Sequence, residues 1–315
     1  MKFLFLVVLN LLLLESCTKE VKIDIPGFEE KLVVDGTISV DEPPIVLLST
    51  SKDIYSATNK DAFLAGFVSG AIITVSDGIN TIQLDEICSD ALPAGTENLA
   101  AQLFGVPVSE LTKNHLCAYT SFNTAIWGVV GKTYTLSISV NGKTYTSSTK
   151  IEQPTQLDKT FWVPDLTYSD YGFSWARLSD KIGQKDHYMW EVKRINKGSQ
   201  GQPIDFFFTK TFLPVFNDVF IDGLSFDFFF ENPMSFEDSI ESKYQGFYKV
   251  GDTVVIKFSK MDQPVYNYFE KKYAQITTAG NPFATPTNIP SNITGGALGV
   301  WAGFSPTYDT LICKP

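Results

Sequence analysis

Few side chains in this sequence could drive chemistry. His115 and His187 are the only imidazole bases, and Cys17, Cys88, Cys117 and Cys313 the only thiols. A hydrolase needs a nucleophile with its base, yet no GxSxG or HExxH run is present. Zinc ligation would call for CxxC, HxxxH or an equivalent pairing, and His115 stands alone beside Cys117. His187 falls inside an alternating segment, where it reads as an ordinary sheet residue. Asp218 and Asp222-Gly223 lack the spacing of a calcium loop and read as turn formers. Any two of the 35 acids could meet as a glycosidase pair, but no spacing nominates one. The expectation is a protein that is not an enzyme, with no cofactor and no metal site.

The first cysteine is the one with a chemical role. Lys2 precedes an apolar run from Phe3 to Leu14, broken only by Asn10. Crossing a membrane takes about 20 apolar residues, and Glu15 ends this run early, so it reads as a secretory signal. Leu14-Glu15-Ser16-Cys17 resembles a bacterial lipobox, with Glu15 its one departure. The motif implies cleavage before Cys17, a diacylglycerol thioether on its sulfur and an acylated new amino terminus. Each buried CH₂ contributes about 0.8 kcal/mol, so two or three acyl chains anchor a chain without a spanning helix. Residues 1–16 are therefore expected to be a lipoprotein signal peptide and 17–28 a tether. No Asp follows Cys17, which favours the outer membrane, in its periplasmic or cell-surface leaflet.

In an oxidising envelope Cys88 and Cys117 are expected to pair, closing a loop of about 30 residues and stabilising the fold by roughly 3 kcal/mol. Leu99, Leu103 and Leu111 inside that loop follow helical spacing. Cys313 is left over.

The elements around these residues read as β. Lys31–Ile38 and Ile45–Ser49 are short runs bounded by turn formers, and Ala71–Val75 with Thr81–Leu84 flanks Asp77-Gly78 as a hairpin. In Gly131–Val140, Tyr134, Leu136, Ile138 and Val140 share one face, and Asn141-Gly142 then supplies a type I′ turn into Lys143–Thr149. These strands predict an immunoglobulin-like β-sandwich over 29–152. After Gln153-Pro154 a second β-rich unit, 158–315, is expected. Its strands are His187–Arg194, Ile204–Phe212, Leu224–Phe230 and Asp252–Ser259. A helix near 262–277 is capped by Asp262, with Val265, Tyr268, Phe269, Tyr273 and Ile276 at helical spacing. Val300, Trp301 and Phe304 feed a closing strand. The predicted fold is thus mainly β, a sandwich followed by a second β-rich domain with one or two helices.

Composition narrows the partners. The net charge of −10 without a basic stripe argues against nucleic acid. Aromatic residues make up 14% of the chain and crowd into 206–230, more than one sheet face can bury because neighbours point to opposite sides. Phe206, Phe208, Phe216, Phe220, Phe228 and Phe230 are the candidates for a partner or ligand surface.

Cys17-Thr18-Lys19-Glu20, Pro26, Lys31–Gly36, the Gly131–Val140 strand, Asp180–Tyr188, Asn217–Gly223, Asn281-Pro282-Phe283 and Ser291–Gly296 occur in an order that resembles a Bacteroidota outer-membrane lipoprotein family known as a domain of unknown function. The resemblance spans nearly the whole mature chain. It implies a partner, since such lipoproteins are typically encoded beside TonB-dependent outer-membrane transporters, and it carries over no catalytic residue. Asp238-Ser239-Ile240, Asp252-Thr253-Val254 and Asp309-Thr310-Leu311 resemble that phylum's O-glycosylation sites, at Ser239, Thr253 and Thr310. The leading expectation is a non-enzymatic accessory of a TonB-dependent transporter. A structural or assembly subunit of an envelope complex and a surface glycan-binding protein are the alternatives.

Overall fold

The computed structural model describes residues 27–53, 59–236, 240–279, 281, 285 and 288–314. The fold is mainly β. Its strands are β1 (Leu32–Ser39), β2 (Ile45–Thr50), β3 (Ile72–Ser76), β4 (Thr81–Gln83), β5 (Asp85–Cys88), β6 (Cys117–Thr120), β7 (Thr133–Val140) and β8 (Lys143–Lys150) in the first half. The second half adds β9 (Lys159–Pro164), β10 (Tyr171–Ser179), β11 (His187–Arg194), β12 (Thr209–Asn217), β13 (Ser225–Phe230), β14 (Tyr248–Lys249), β15 (Thr253–Lys260) and β16 (Leu298–Ile312). The helices are α1 (Lys60–Leu64), α2 (Glu97–Phe104), α3 (Val108–Leu111) and α4 (Gln263–Thr277). None of the described helices is long and apolar enough to cross a membrane.

One eight-stranded sheet, ordered β12-β11-β15-β16-β1-β2-β6-β5, runs through both halves. A four-stranded sheet, β4-β3-β7-β8, covers its first half, and β9, β10, β13 and β14 cover the second. Local rules account for much of this. The β7–β8 hairpin turns through Asn141 (φ 51°) and Gly142 (φ 73°), the positive-φ pair of a type I′ turn, and keeps Tyr134, Leu136 and Ile138 fully buried. Asp262 caps α4 by accepting the Val265 N–H at 3.1 Å. The strand expected over 204–212 forms instead at Thr209–Asn217. Asp205 is drawn off to receive the backbone N–H and guanidinium of Arg194 at 2.8–2.9 Å, which takes the preceding residues out of the ladder.

The first core gathers Val34, Ile38, Leu48, Ile73, Val75, Tyr134 and Leu136, a two-layer arrangement compatible with the immunoglobulin-like expectation. The second gathers Trp162, Tyr188, Trp190, Val192, Ile256 and Phe258. Alternation along β11 sends Tyr188, Trp190 and Val192 into that core, while Met189 on the opposite face lies under Val265 and Phe269 of α4. The strand is buried on both faces for that reason.

The boundary expected near 153–158 separates the two small sheets, but the C-terminal segment crosses it. Ile293, Ala297 and Trp301 belong to the first core. β16 pairs in parallel with β1 over 298–304 and antiparallel with β15 over 305–312. Trp301 is fully buried, donates its indole N–H to the Tyr134 carbonyl at 2.9 Å, and has its backbone N–H and carbonyl held by the Asn292 amide at 2.9 and 2.8 Å. Gly36 is its register partner, where a Cβ would lie 2.7 Å from the indole ring. Large-to-small changes at such sites cost about 3–5 kcal/mol. Trp301→Ala is therefore expected to lower the unfolding free energy by that amount in urea titration. Tyrosine and tryptophan signals from both halves should shift together, because one strand serves both cores.

Candidate functional site

Strand alternation sorts the aromatic residues of the second half into two sets. On β10, Gly172, Ser174, Ala176 and Leu178 are buried while Tyr171, Phe173, Trp175 and Arg177 point outward, only half-buried. Their cross-strand neighbours continue the pattern, since Trp175 pairs with Phe161 of β9 on one side and Phe229 of β13 on the other. A continuous aromatic face results. Ring centroids step from Phe161 to Trp175 (6.2 Å), to Phe229 (4.8 Å), to Phe173 (4.8 Å) and to Phe247 (4.7 Å). The Lys159 ammonium sits 4.6 Å above the Phe161 ring, and Arg177 and Asp227 form a two-pronged ion pair at 2.6 and 2.7 Å at one border. At the other, Phe212 and Leu213 of the edge strand β12 are 62% and 54% exposed and line a groove of about 320 Å³ with Phe173 and Phe229. Folded chains rarely leave an apolar patch of this continuity to water, which makes the face the candidate docking surface of the described residues.

Sequence reasoning found the segment but not the face. Phe216, Phe228 and Phe230, expected on a partner surface, instead pack against the second core, with Phe228 and Phe230 centroids 5.5 and 5.0 Å from Trp190. The reason is parity: the even-numbered residues of β13 face the layer beneath. Phe208 lies half-buried between Tyr308, Lys193 and Lys257. Phe206 and Phe220 are exposed, at 53% and 91%, on loops off the face. Phe161, Phe173, Trp175 and Phe229 were missed, although Tyr171, Phe173 and Trp175 alternate with Gly172, Ser174 and Ala176. Thr253 is half-buried within β15 and Thr310 is exposed on β16, whereas Ser239 and Cys17 lie outside the described residues.

The remaining reactive groups are otherwise engaged. Cys88 and Cys117 face each other across β5 and β6 and form the expected disulfide. His115 lies beside it, Nε2 3.3 Å from Cys117 Sγ and Nδ1 3.2 Å from an Asp90 carboxylate oxygen. The carboxylates of Asp180, Asp218 and Asp222 lie within 4.8 Å of one another and stitch two loops together by accepting the N–H groups of Gly223, Asp186 and Gly183. Burial pushes Asp180 above the ordinary carboxylate range, with Asp218 and Asp186 adding to the effect. Glu191 is also buried, which would raise it, but Lys210 and Lys257 at 3.3 and 3.2 Å outweigh burial and hold it below its ordinary value.

The family model described as Domain of unknown function (DUF4249) matches residues 18–308. No curated protein matches the sequence.

Cys313 is fully buried, and burial pushes its thiol up to about 12. Alkylation requires the thiolate, which at pH 8 is then on the order of one part in ten thousand. Iodoacetamide at pH 8 should leave Cys313 unmodified in the folded protein and label it fully in guanidinium, read by intact-mass spectrometry. Rapid labelling of the native chain would show that this burial is wrong.

Proposed function

From the premise that the chain belongs to this domain-of-unknown-function family, we propose that it is an outer-membrane lipoprotein and a non-enzymatic accessory of a TonB-dependent transporter. The observation that carries the reading is the exposed aromatic face from Phe161 to Phe247, extended by Phe212 and Leu213. Such a surface suits a protein partner. Its core is apolar and its border carries charged groups, Lys159 and the Arg177–Asp227 pair, the anatomy of a protein interface. Large rigid aromatics are also the side chains that most often dominate binding energy. The class of partner comes from the resemblance to lipoproteins encoded beside such transporters. The apolar run 3–14 and Cys17 supply the anchor, which would hold the folded part close to a membrane partner and raise its effective concentration.

Two measurements test this. In the native envelope, [³H]palmitate should label the wild type and not Cys17→Ala; continued labelling of the mutant would place the lipid elsewhere. Phe212→Asp with Phe229→Asp puts one charge at the border and one in the centre of the face without touching either core. Gentle detergent extraction followed by mass spectrometry should recover a TonB-dependent transporter with wild type and at least tenfold less with the double variant. Undiminished recovery from a variant with wild-type thermal stability would remove the face from the interface.

A further inference from the structure

A second site lies away from the aromatic face. Loops 180–186 and 218–223, the adjoining ends of β11 and β12 and the first turns of α4 line a cleft of about 550 Å³, within the range of small-molecule sites. Its character is the reverse of the aromatic face, because nearly every side chain that lines it is polar and Val219 is the one aliphatic at its mouth.

His187 is the informative residue. It is 7% exposed, lies tilted by 36° against the Tyr266 ring at a centroid distance of 4.8 Å and lines the cleft, yet neither of its ring nitrogens has a hydrogen-bond partner among the described residues. The ring nitrogens keep their hydrogen-bonding capacity for whatever occupies the cleft, water or ligand. Burial holds the imidazole below its ordinary value against the opposing pull of Asp218, Asp186 and Asp262, with Lys260 acting in the same direction as burial. It is thus neutral at pH 7, with one donor and one acceptor to offer.

The surrounding groups define what could occupy the space. Gln184, Gln263 and Asn267 line the same cleft with carboxamides that bond to no other described residue, each again both donor and acceptor. The carboxylates are committed: Asp218 accepts the Asp186 N–H at 2.7 Å, Asp222 the Gly183 N–H at 2.7 Å, and Glu270 the Tyr266 hydroxyl at 2.8 Å together with Lys271 at 3.1 Å. They leave the cleft acidic, with Lys185 its only cation, so an anion is repelled. An apolar molecule would strand the imidazole and the three amides. Paired donors and acceptors beside a Tyr–His aromatic floor match vicinal hydroxyls above a C–H face.

We infer that this cleft binds a small neutral polyhydroxylated solute, of monosaccharide to disaccharide size, with His187, Asn267 and the two glutamines as its hydrogen-bonding groups. The site is independent of the aromatic docking face.

Saturation-transfer difference NMR on the full chain, with glucose, galactose, N-acetylglucosamine and maltose as neutral probes and glucosamine and glucose 6-phosphate as charged ones, tests it. Transfer to at least one neutral sugar is expected. His187→Phe keeps the buried ring but removes its nitrogens and should weaken that binding at least tenfold. Asn267→Trp, from the surface of α4, should block the mouth and do the same without disturbing the core. Phe229→Asp should bind sugar as the wild type does, which separates failure of this site from failure of the docking face. The inference is overturned if the folded wild type shows no transfer to any neutral sugar, if only a charged probe binds, or if both cleft variants bind unchanged.

Discussion

The pairing of β16 holds this molecule together. Over 298–304 it lies parallel to β1, and over 305–312 it lies antiparallel to β15, so a single strand joins what would otherwise be a three-stranded and a four-stranded sheet. Parallel neighbours need long crossovers, and here almost the whole chain separates β1 from its partner. The splice depends on close approach. Gly299 has φ +102° and sits so near the Val34 backbone that a Cβ there would overlap the carbonyl oxygen, while Gly36 leaves room for the Trp301 indole. The Asn292 amide then closes both backbone valences of Trp301, which keeps the 291–297 turn against the first sandwich.

From that sheet the two surfaces follow. Because the second half of the sheet is covered on one side by β9, β10 and β13 and on the other by α4, each covering layer keeps one face for water. The outer face of β10 carries the aromatic row, and the N-terminal end of α4 forms one wall of the polar cleft. Charged groups near these layers are neutralised where they are buried: Arg194 with Asp205, Lys260 with Asp186, and Glu191 between Lys210 and Lys257. Breaking such pairs costs more than forming them contributes, which favours one fixed arrangement of the loops around them. Such rigid support is what the proposed docking face would need to bind without rearranging.

Much of this was legible residue by residue. Alternation in Gly131–Val140, the Asn141-Gly142 turn and the Asp262 cap each depend on neighbours a few positions away, and each formed as local rules require. The helical spacing at Leu99 and Leu103 marked α2, and cysteine arithmetic found the Cys88–Cys117 bridge. The aromatic face was not legible in the same way. An alternating strand identifies two sets of side chains but not which set meets a second layer, so Phe228 and Phe230 looked as available as Phe229.

The sequence by itself determined the strand-rich character, the turns, the long helix, the disulfide and the N-terminal signal-like run, because each is written in composition or short-range spacing. Only the tertiary structure decided that β16 belongs to both sandwiches, that Phe161, Phe173, Trp175 and Phe229 form the outer face, and that His187 lines a polar cleft with its ring nitrogens bonded to none of the described residues. The physical reason is the same in each case. Which face of an element is covered, and by what, depends on contacts between different elements, tens to hundreds of positions apart in the chain, and no local pattern encodes them.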